Sequence, residues 1–162
     1  MFKFYCFLST FFLMSCSTTH YYIVRHAEKE ITPTMMSGDV PLSAEGKQRA
    51  EALKDLLLNK KIGSIYSTNY IRTKATAQPL AAAKNISIQV YKAGDTAFIH
   101  SIRNVTIDVL LVGHSNTVDD LVNTLTGTTY IAGDLPETQY GDLFIVKRKG
   151  KKYSFEKKHF GK

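Results

Sequence analysis

The sequence predicts an α/β fold: a three-layer α/β/α sandwich with a mostly parallel central sheet and a C-terminal β-hairpin. Three observations carry that expectation. Short runs of β-branched and aromatic residues alternate with helical periods through most of the chain. The run over 107–112 is continuously apolar, as a strand covered on both faces must be, which puts it at the sheet centre. Residues 143–149 and 152–158 flank Gly150 like the two arms of a hairpin.

The first 15 residues read as a targeting segment outside the fold. Lys3 is followed by an apolar run over 4–14, broken only by Ser9 and Thr10. That run is shorter than the about 20 apolar residues a membrane-spanning helix needs. It ends Leu13-Met14-Ser15-Cys16, which resembles the lipobox of bacterial lipoproteins. The resemblance implies lipidation of Cys16 as the new N-terminus, export, and a lipid anchor in a bacterial membrane, facing the periplasm. An uncleaved signal anchor is the alternative. Residues 16–20 would then be a short tether and 21–162 the single domain. Cys6 leaves with the signal, so no disulfide framework remains and packing alone holds the fold.

Tyr21-Tyr22-Ile23-Val24 forms the first strand and runs directly into Arg25, His26 and Glu28. Residues 30–41, with breakers Pro33, Gly38 and Pro41, make either a rim of the site or a plain connector. A helix follows over 44–58, with Ser43 as N-cap and Glu45 in its first turn. Ala50, Leu53 and Leu57 form its buried stripe, Leu56 alongside, and Lys60 and Lys61 suit its C-terminal end. Residues 62–68 are the second strand. The next helix carries Arg72 in its first turn and continues through Ala83, with Pro79 expected to kink or restart it. A third strand over 86–91 precedes a short helix opened by Gly94-Asp95 and bearing Phe98, Ile99 and Ile102. The central strand ends Gly113-His114-Ser115-Asn116. The helix after it buries Val118, Leu121, Val122 and Leu125 and stops at Gly127.

The formal net charge is +7, and its basic residues crowd the C-terminal end: Lys147, Arg148, Lys149, Lys151, Lys152, Lys157, Lys158 and Lys162. They read as a solvated hairpin face beside an anionic membrane. No nucleic-acid motif accompanies them.

In a mostly parallel sheet the C-terminal strand edges lie together, and ligands bind there. Arg25 and His26 follow the first strand, Arg72 the second, and His114 the central one, so two arginines and two histidines converge. Arginine binds phosphoryl oxygens bidentately and stays charged. The helix start after His114 adds N–H groups and a positive dipole end. A phosphoryl group fits these surroundings. Imidazole, substantially neutral at pH 7, can attack it in line. His26 is the expected nucleophile, with Arg25 beside it to hold the phosphoryl group and His114 to stabilise an equatorial oxygen.

Arg25-His26-Ala27-Glu28, Pro41-Leu42-Ser43-x-x-Gly46, Arg72-Thr73-x-x-Thr76-Ala77 and Gly113-His114-Ser115-Asn116 occur in that order. This series resembles the histidine phosphatase superfamily, the phosphoglycerate-mutase-like group, in its short bacterial form. The resemblance implies a phosphohistidine at His26, with Arg25, Arg72 and His114 completing the phosphate pocket and Ser67 and Asn116 as adjacent candidates. No cofactor or metal is implied.

The chain departs from better-known branches in lacking an obvious proton donor. The glutamate-rich motif of the mutases is absent, and Ser115 stands where acid phosphatases carry aspartate. Glu28 and Asp95 are the candidate donors. Glu28 could equally pair with Lys29 or Arg25, and Asp95 could simply cap its helix. A phosphatase rather than a mutase is therefore expected, acting on envelope or periplasmic phosphorylated compounds. The alternatives are protein phosphohistidine phosphatase, a non-catalytic anion-binding lipoprotein, and a zinc site of two histidines with Glu28, which the flanking arginines disfavour.

Overall fold

Alternation along the first strand divides the core in two. Tyr21 and Ile23 join one apolar cluster while Tyr22 and Val24 join another, because successive side chains leave opposite faces of a strand. The computed structural model describes residues 17–31 and 38–162. The expected signal segment, Cys16 and the middle of the 30–41 stretch lie outside the described residues.

The elements in chain order are β1 (Thr18–Arg25), α1 (Ala44–Leu57), β2 (Ile62–Thr68), α2 (Ile71–Lys84), β3 (Ile88–Tyr91), α3 (Thr96–Ile102), β4 (Asp108–Gly113), α4 (Val118–Thr126), β5 (Asp142–Lys149) and β6 (Lys152–His159). The sheet order is β3-β2-β4-β1-β5-β6. The first four of these pair in parallel and the hairpin adds β5 and β6 antiparallel. Helices α1 and α2 cover one face over Tyr22, Val24, Leu110 and Val112. Helices α3 and α4 cover the other over Tyr21, Ile23, Val109 and Leu111. The three layers, the parallel centre and the terminal hairpin are those the sequence predicts. Residues 109–112 of β4 are fully buried, as expected of a strand with helices on both faces.

Local chemistry places several boundaries differently. The expected tether over 16–20 is largely strand: Thr18, Thr19 and His20 pair with Lys149, Arg148 and Lys147. Thr19 is buried and donates to the Val105 carbonyl at 3.3 Å, while the His20 N–H donates to Asp108 at 2.8 Å. Pro79 neither breaks nor restarts α2, which runs unbroken through it. Burial of Thr76, Ala77, Leu80 and Ala81 holds the helix despite the missing N–H. Leu56 falls outside the α1 stripe and is exposed. Arg148 leaves the solvated hairpin face, reaching Thr19 Oγ1 at 3.2 Å and the Val105 carbonyl.

Helix α1 begins as its caps dictate. Ser43 Oγ accepts from the Gly46 N–H at 3.1 Å, and the Ser43 N–H donates to the Glu28 carbonyl at 3.0 Å. A Cβ on residue 46 would land on that same Glu28 carbonyl, which is why glycine stands there. Gly46→Ala is expected to destabilise the fold by about 1–3 kcal/mol, read as a lowered thermal midpoint. An unchanged midpoint would contradict this close approach of α1 to the segment after His26.

Candidate active site

The C-terminal ends of β1, β2 and β4 open onto one cavity of about 400 Å³, whose wall includes Arg25, His26, Arg72 and His114. The four residues are spread over most of the chain, and the parallel register of β1, β2 and β4 brings them together. The imidazoles of His26 and His114 stand edge to face with centroids 5.4 Å apart.

His26 is 3% exposed, and its Nδ1 lies 2.7 Å from the Ala27 carbonyl oxygen. A carbonyl only accepts, so Nδ1 carries the proton and Nε2 keeps its lone pair. Its own N–H donates to the Gly113 carbonyl at 2.9 Å, and the Ala27 N–H donates to Thr76 Oγ1 at 2.9 Å. These bonds fix the backbone on both sides of the ring.

His114 is held in the opposite tautomer. Its Nδ1 lies 3.3 Å from Arg72 Nη2, which can only donate, so Nδ1 accepts. Nε2 then carries the proton and donates to Thr68 Oγ1 at 2.8 Å. The Thr68 hydroxyl donates on to Thr73 Oγ1 at 3.1 Å, and that hydroxyl to the Thr68 carbonyl at 2.9 Å.

Burial is the main reason both rings resist protonation. It pushes His26 down to about 3; the Ala27 carbonyl opposes the shift, and Arg72, Arg25 and His114 reinforce it. His114 goes down to about 4 by burial and then by Arg72 and Arg25. Between the ordinary histidine value of about 6.5 and these values, the unfolded chain binds protons that the folded chain refuses. Stability therefore falls as pH drops through that window. The Cε1 resonances of both histidines should hold their neutral positions down to about pH 5 in an NMR titration. Midpoints near the ordinary histidine value would contradict the burial described here.

The arginines are committed, though incompletely. Arg25, with its side chain 3% exposed, donates through Nη1 to the Pro136 carbonyl at 2.8 Å and through Nη2 to Glu137 at 2.8 Å. Its guanidinium also stacks 4.4 Å above the Tyr140 ring. Arg72 donates through Nη1 to the Gly38 carbonyl and lies 4.6 Å over the Tyr70 ring. The far end of the 30–41 stretch thus reaches the site and forms part of its rim. The buried Nε of each arginine has no hydrogen-bond partner among the described residues. Two guanidinium groups beside two unprotonated imidazoles suit an anion with several oxygens.

The other sequence candidates divide. Asn116 lines the cavity and is exposed. Ser67 does not: it is fully buried, and its hydroxyl donates to the Thr68 carbonyl at 2.9 Å. Glu28 pairs with neither Lys29 nor Arg25. Both its oxygens accept from Arg49 Nε, at 2.8 and 2.9 Å, outside the cavity wall. Glu28 is thereby taken away from the two histidines it would have joined in a zinc site. Asp95 Oδ1 accepts the Phe98 N–H at 3.0 Å as the cap of α3 and does not line the cavity. Neither expected proton donor stands at the site.

Sequence reasoning missed Thr68, Tyr70, Tyr140 and Glu137. Strand alternation sets Thr68 on the face opposite Ser67, but only the register with β4 brings it to His114. Glu137 lies between α4 and β5 in a stretch without regular structure, where no periodicity signals a position.

The family model for the histidine phosphatase superfamily (branch 1) matches residues 21–93. A search of curated proteins returns no match. Among solved structures, the protein histidine phosphatase SixA complexed with tungstate is similar at a TM-score of 0.70 and 17% identity, covering 87% of this chain and 97% of that one. Bacillus stearothermophilus YhfR is similar at 0.66 and 20% identity, covering 84% and 94%. The mycobacterial glucosyl-3-phosphoglycerate phosphatase is similar at 0.66 and 13%, covering 86% and 97%. At these identities the structural likeness is one of fold.

Proposed function

We propose that this chain, whose residues 21–93 match the family model of the histidine phosphatase superfamily, hydrolyses phosphomonoesters through a phosphoryl group carried on His26. One observation carries this reading. An imidazole with its Nδ1 proton tied to a carbonyl, and hence its Nε2 lone pair unprotonated, shares a cavity with two guanidinium groups and a second imidazole. The Nε2 lone pair forms the N–P bond as the bond from phosphorus to the leaving oxygen breaks. Water then attacks phosphorus, the N–P bond breaks and phosphate departs. Arg25 and Arg72 hold the equatorial oxygens through both steps. His114 serves there too once its proton moves to Nδ1, with the Thr68 hydroxyl turning to donate to Nε2.

The site favours hydrolysis over mutase chemistry because the chain lacks the mutase glutamate motif. Purified protein should release phosphate from p-nitrophenyl phosphate and from sugar phosphates, with no mutase activity dependent on 2,3-bisphosphoglycerate. Phosphate binding with no turnover of any ester would instead support an anion-binding lipoprotein.

Residues 13–16 support a lipid on Cys16 and action on envelope or periplasmic phosphorylated compounds. Because β1 begins at Thr18, such a lipid would hold the domain close to the membrane. Palmitate labelling that survives Cys16→Ser would overturn the anchor. A second reading, dephosphorylation of phosphohistidine on another protein, draws on the SixA-like fold and on an exposed rim at Asn116 and Glu137 that a protruding side chain could reach. A phosphohistidine peptide in the same assay separates the two by its kcat/KM.

A further inference from the structure

We infer that Glu137 is the proton donor to the leaving group, a role that rests on the hydrolase reading above. Its carboxylate is held at the cavity by two of that cavity's own residues: Oε2 accepts from Arg25 Nη2 at 2.8 Å and Oε1 from Ser115 Oγ at 3.0 Å. In-line transfer fixes where a donor must be. With the nucleophile His26 3% exposed and Glu137 70% exposed, the attacking atom is on the closed side of the cavity and Glu137 on the open rim. The leaving oxygen departs opposite the nucleophile, toward that rim. Among the described residues the carboxylates lining the cavity are Glu137 and Asp134, and only Glu137 is tied to a phosphate-binding arginine.

The charged and titratable groups that line the cavity with Glu137 are Arg25, Lys29, Arg72, Asp134 and Tyr70, with the neutral rings of His26 and His114. In the free pocket the Ser115 hydroxyl and then Arg25 hold the carboxyl below its usual range, so it is ionised. A phosphoryl dianion claims Arg25 and sets two negative charges beside it. Like charges at that range favour taking up a proton. The protonated carboxyl then gives its proton to the leaving oxygen as the P–O bond breaks. Afterwards the carboxylate takes a proton from the water that attacks phosphorus, so Glu137 ends protonated, His26 neutral, and phosphate leaves as the dianion. The carboxylate is thus bound where substrate will be, and substrate binding draws the proton onto it from solvent.

The test compares leaving groups, which a merely structural role would not distinguish. Kinetics of the full chain are measured for Glu137→Gln and Glu137→Asp on p-nitrophenyl phosphate, whose phenolate leaves unaided, and on glycerol phosphate, whose alkoxide does not. Glu137→Gln is expected to lower kcat/KM for glycerol phosphate by about 10²–10⁴-fold and for the aryl ester far less, with Glu137→Asp restoring part of the loss. Equal losses on both esters would overturn the assignment. So would a gain on either, which would make the carboxylate a competitor of phosphate, or the selective loss appearing in Asp134→Asn instead. Failure of the unmodified protein to turn over either ester would overturn the hydrolase reading itself, and this assignment with it.

Discussion

His26→Ala should lower turnover of p-nitrophenyl phosphate by about 10⁴–10⁶-fold, the loss expected when a covalent nucleophile is removed. The size follows from the division of labour in the cavity. In the proposed mechanism Arg25, Arg72 and His114 bind and stabilise charge, while Nε2 of His26 combines an unprotonated lone pair with a ring fixed by a backbone carbonyl. The cost falls on kcat rather than on binding, because the alanine variant keeps both guanidinium groups. Phosphate binding measured by calorimetry should therefore survive, and the variant should remain folded, since the Ala27 and residue-26 backbone bonds are untouched. Turnover within about tenfold of the unmodified protein would mean that another group attacks phosphorus.

Arg72→Ala should cost about 10²–10³-fold in kcat/KM, the usual scale for one donor of a charge-stabilising site. Two effects combine. A guanidinium that would bind phosphoryl oxygen is lost, and so is the donor to His114 Nδ1, leaving the tautomer of that ring unspecified. Lysine should not rescue it, because a single ammonium cannot reach both the Gly38 carbonyl and His114 in the geometry of the planar fork. The charge change gives an independent readout. Arg72 helps hold both histidines in the neutral form, so their titration midpoints should rise in Arg72→Ala. A kinetic loss without that rise would place Arg72 away from the two rings.

These two residues, with Arg25 and His114, were legible in the sequence because each sits one or two positions from the end of an apolar strand or opens the helix after it. A parallel sheet turns that shared offset into proximity. The three layers were legible for a related reason: β1 and β4 are apolar on both faces, so helices must cover both. The misses have physical causes. Ser67 and Thr68 face opposite sides of β2, and composition cannot say which one meets His114; the register with β4 decides. Glu28 sits two residues from His26, yet Arg49 of α1 captures it, a partner set by packing. Asp95 was legible as a helix cap, and capping removes it from the site. Glu137 reaches the cavity through long-range contacts with no local signature: Arg25 gathers the Pro136 and Gln139 carbonyls around itself, and Ser115 donates to the Glu137 carboxylate.

The position of the phosphoryl group during turnover tests the account most directly. Phosphoenzyme formed with p-nitrophenyl phosphate, quenched in alkali and examined by phosphorus NMR and peptide mapping, should carry phosphate on Nε2 of His26. That outcome follows from the Nδ1 proton being tied to the Ala27 carbonyl. Phosphate found on Nδ1 of His26 or on His114, or steady turnover with no phosphorylated histidine at all, would contradict the account.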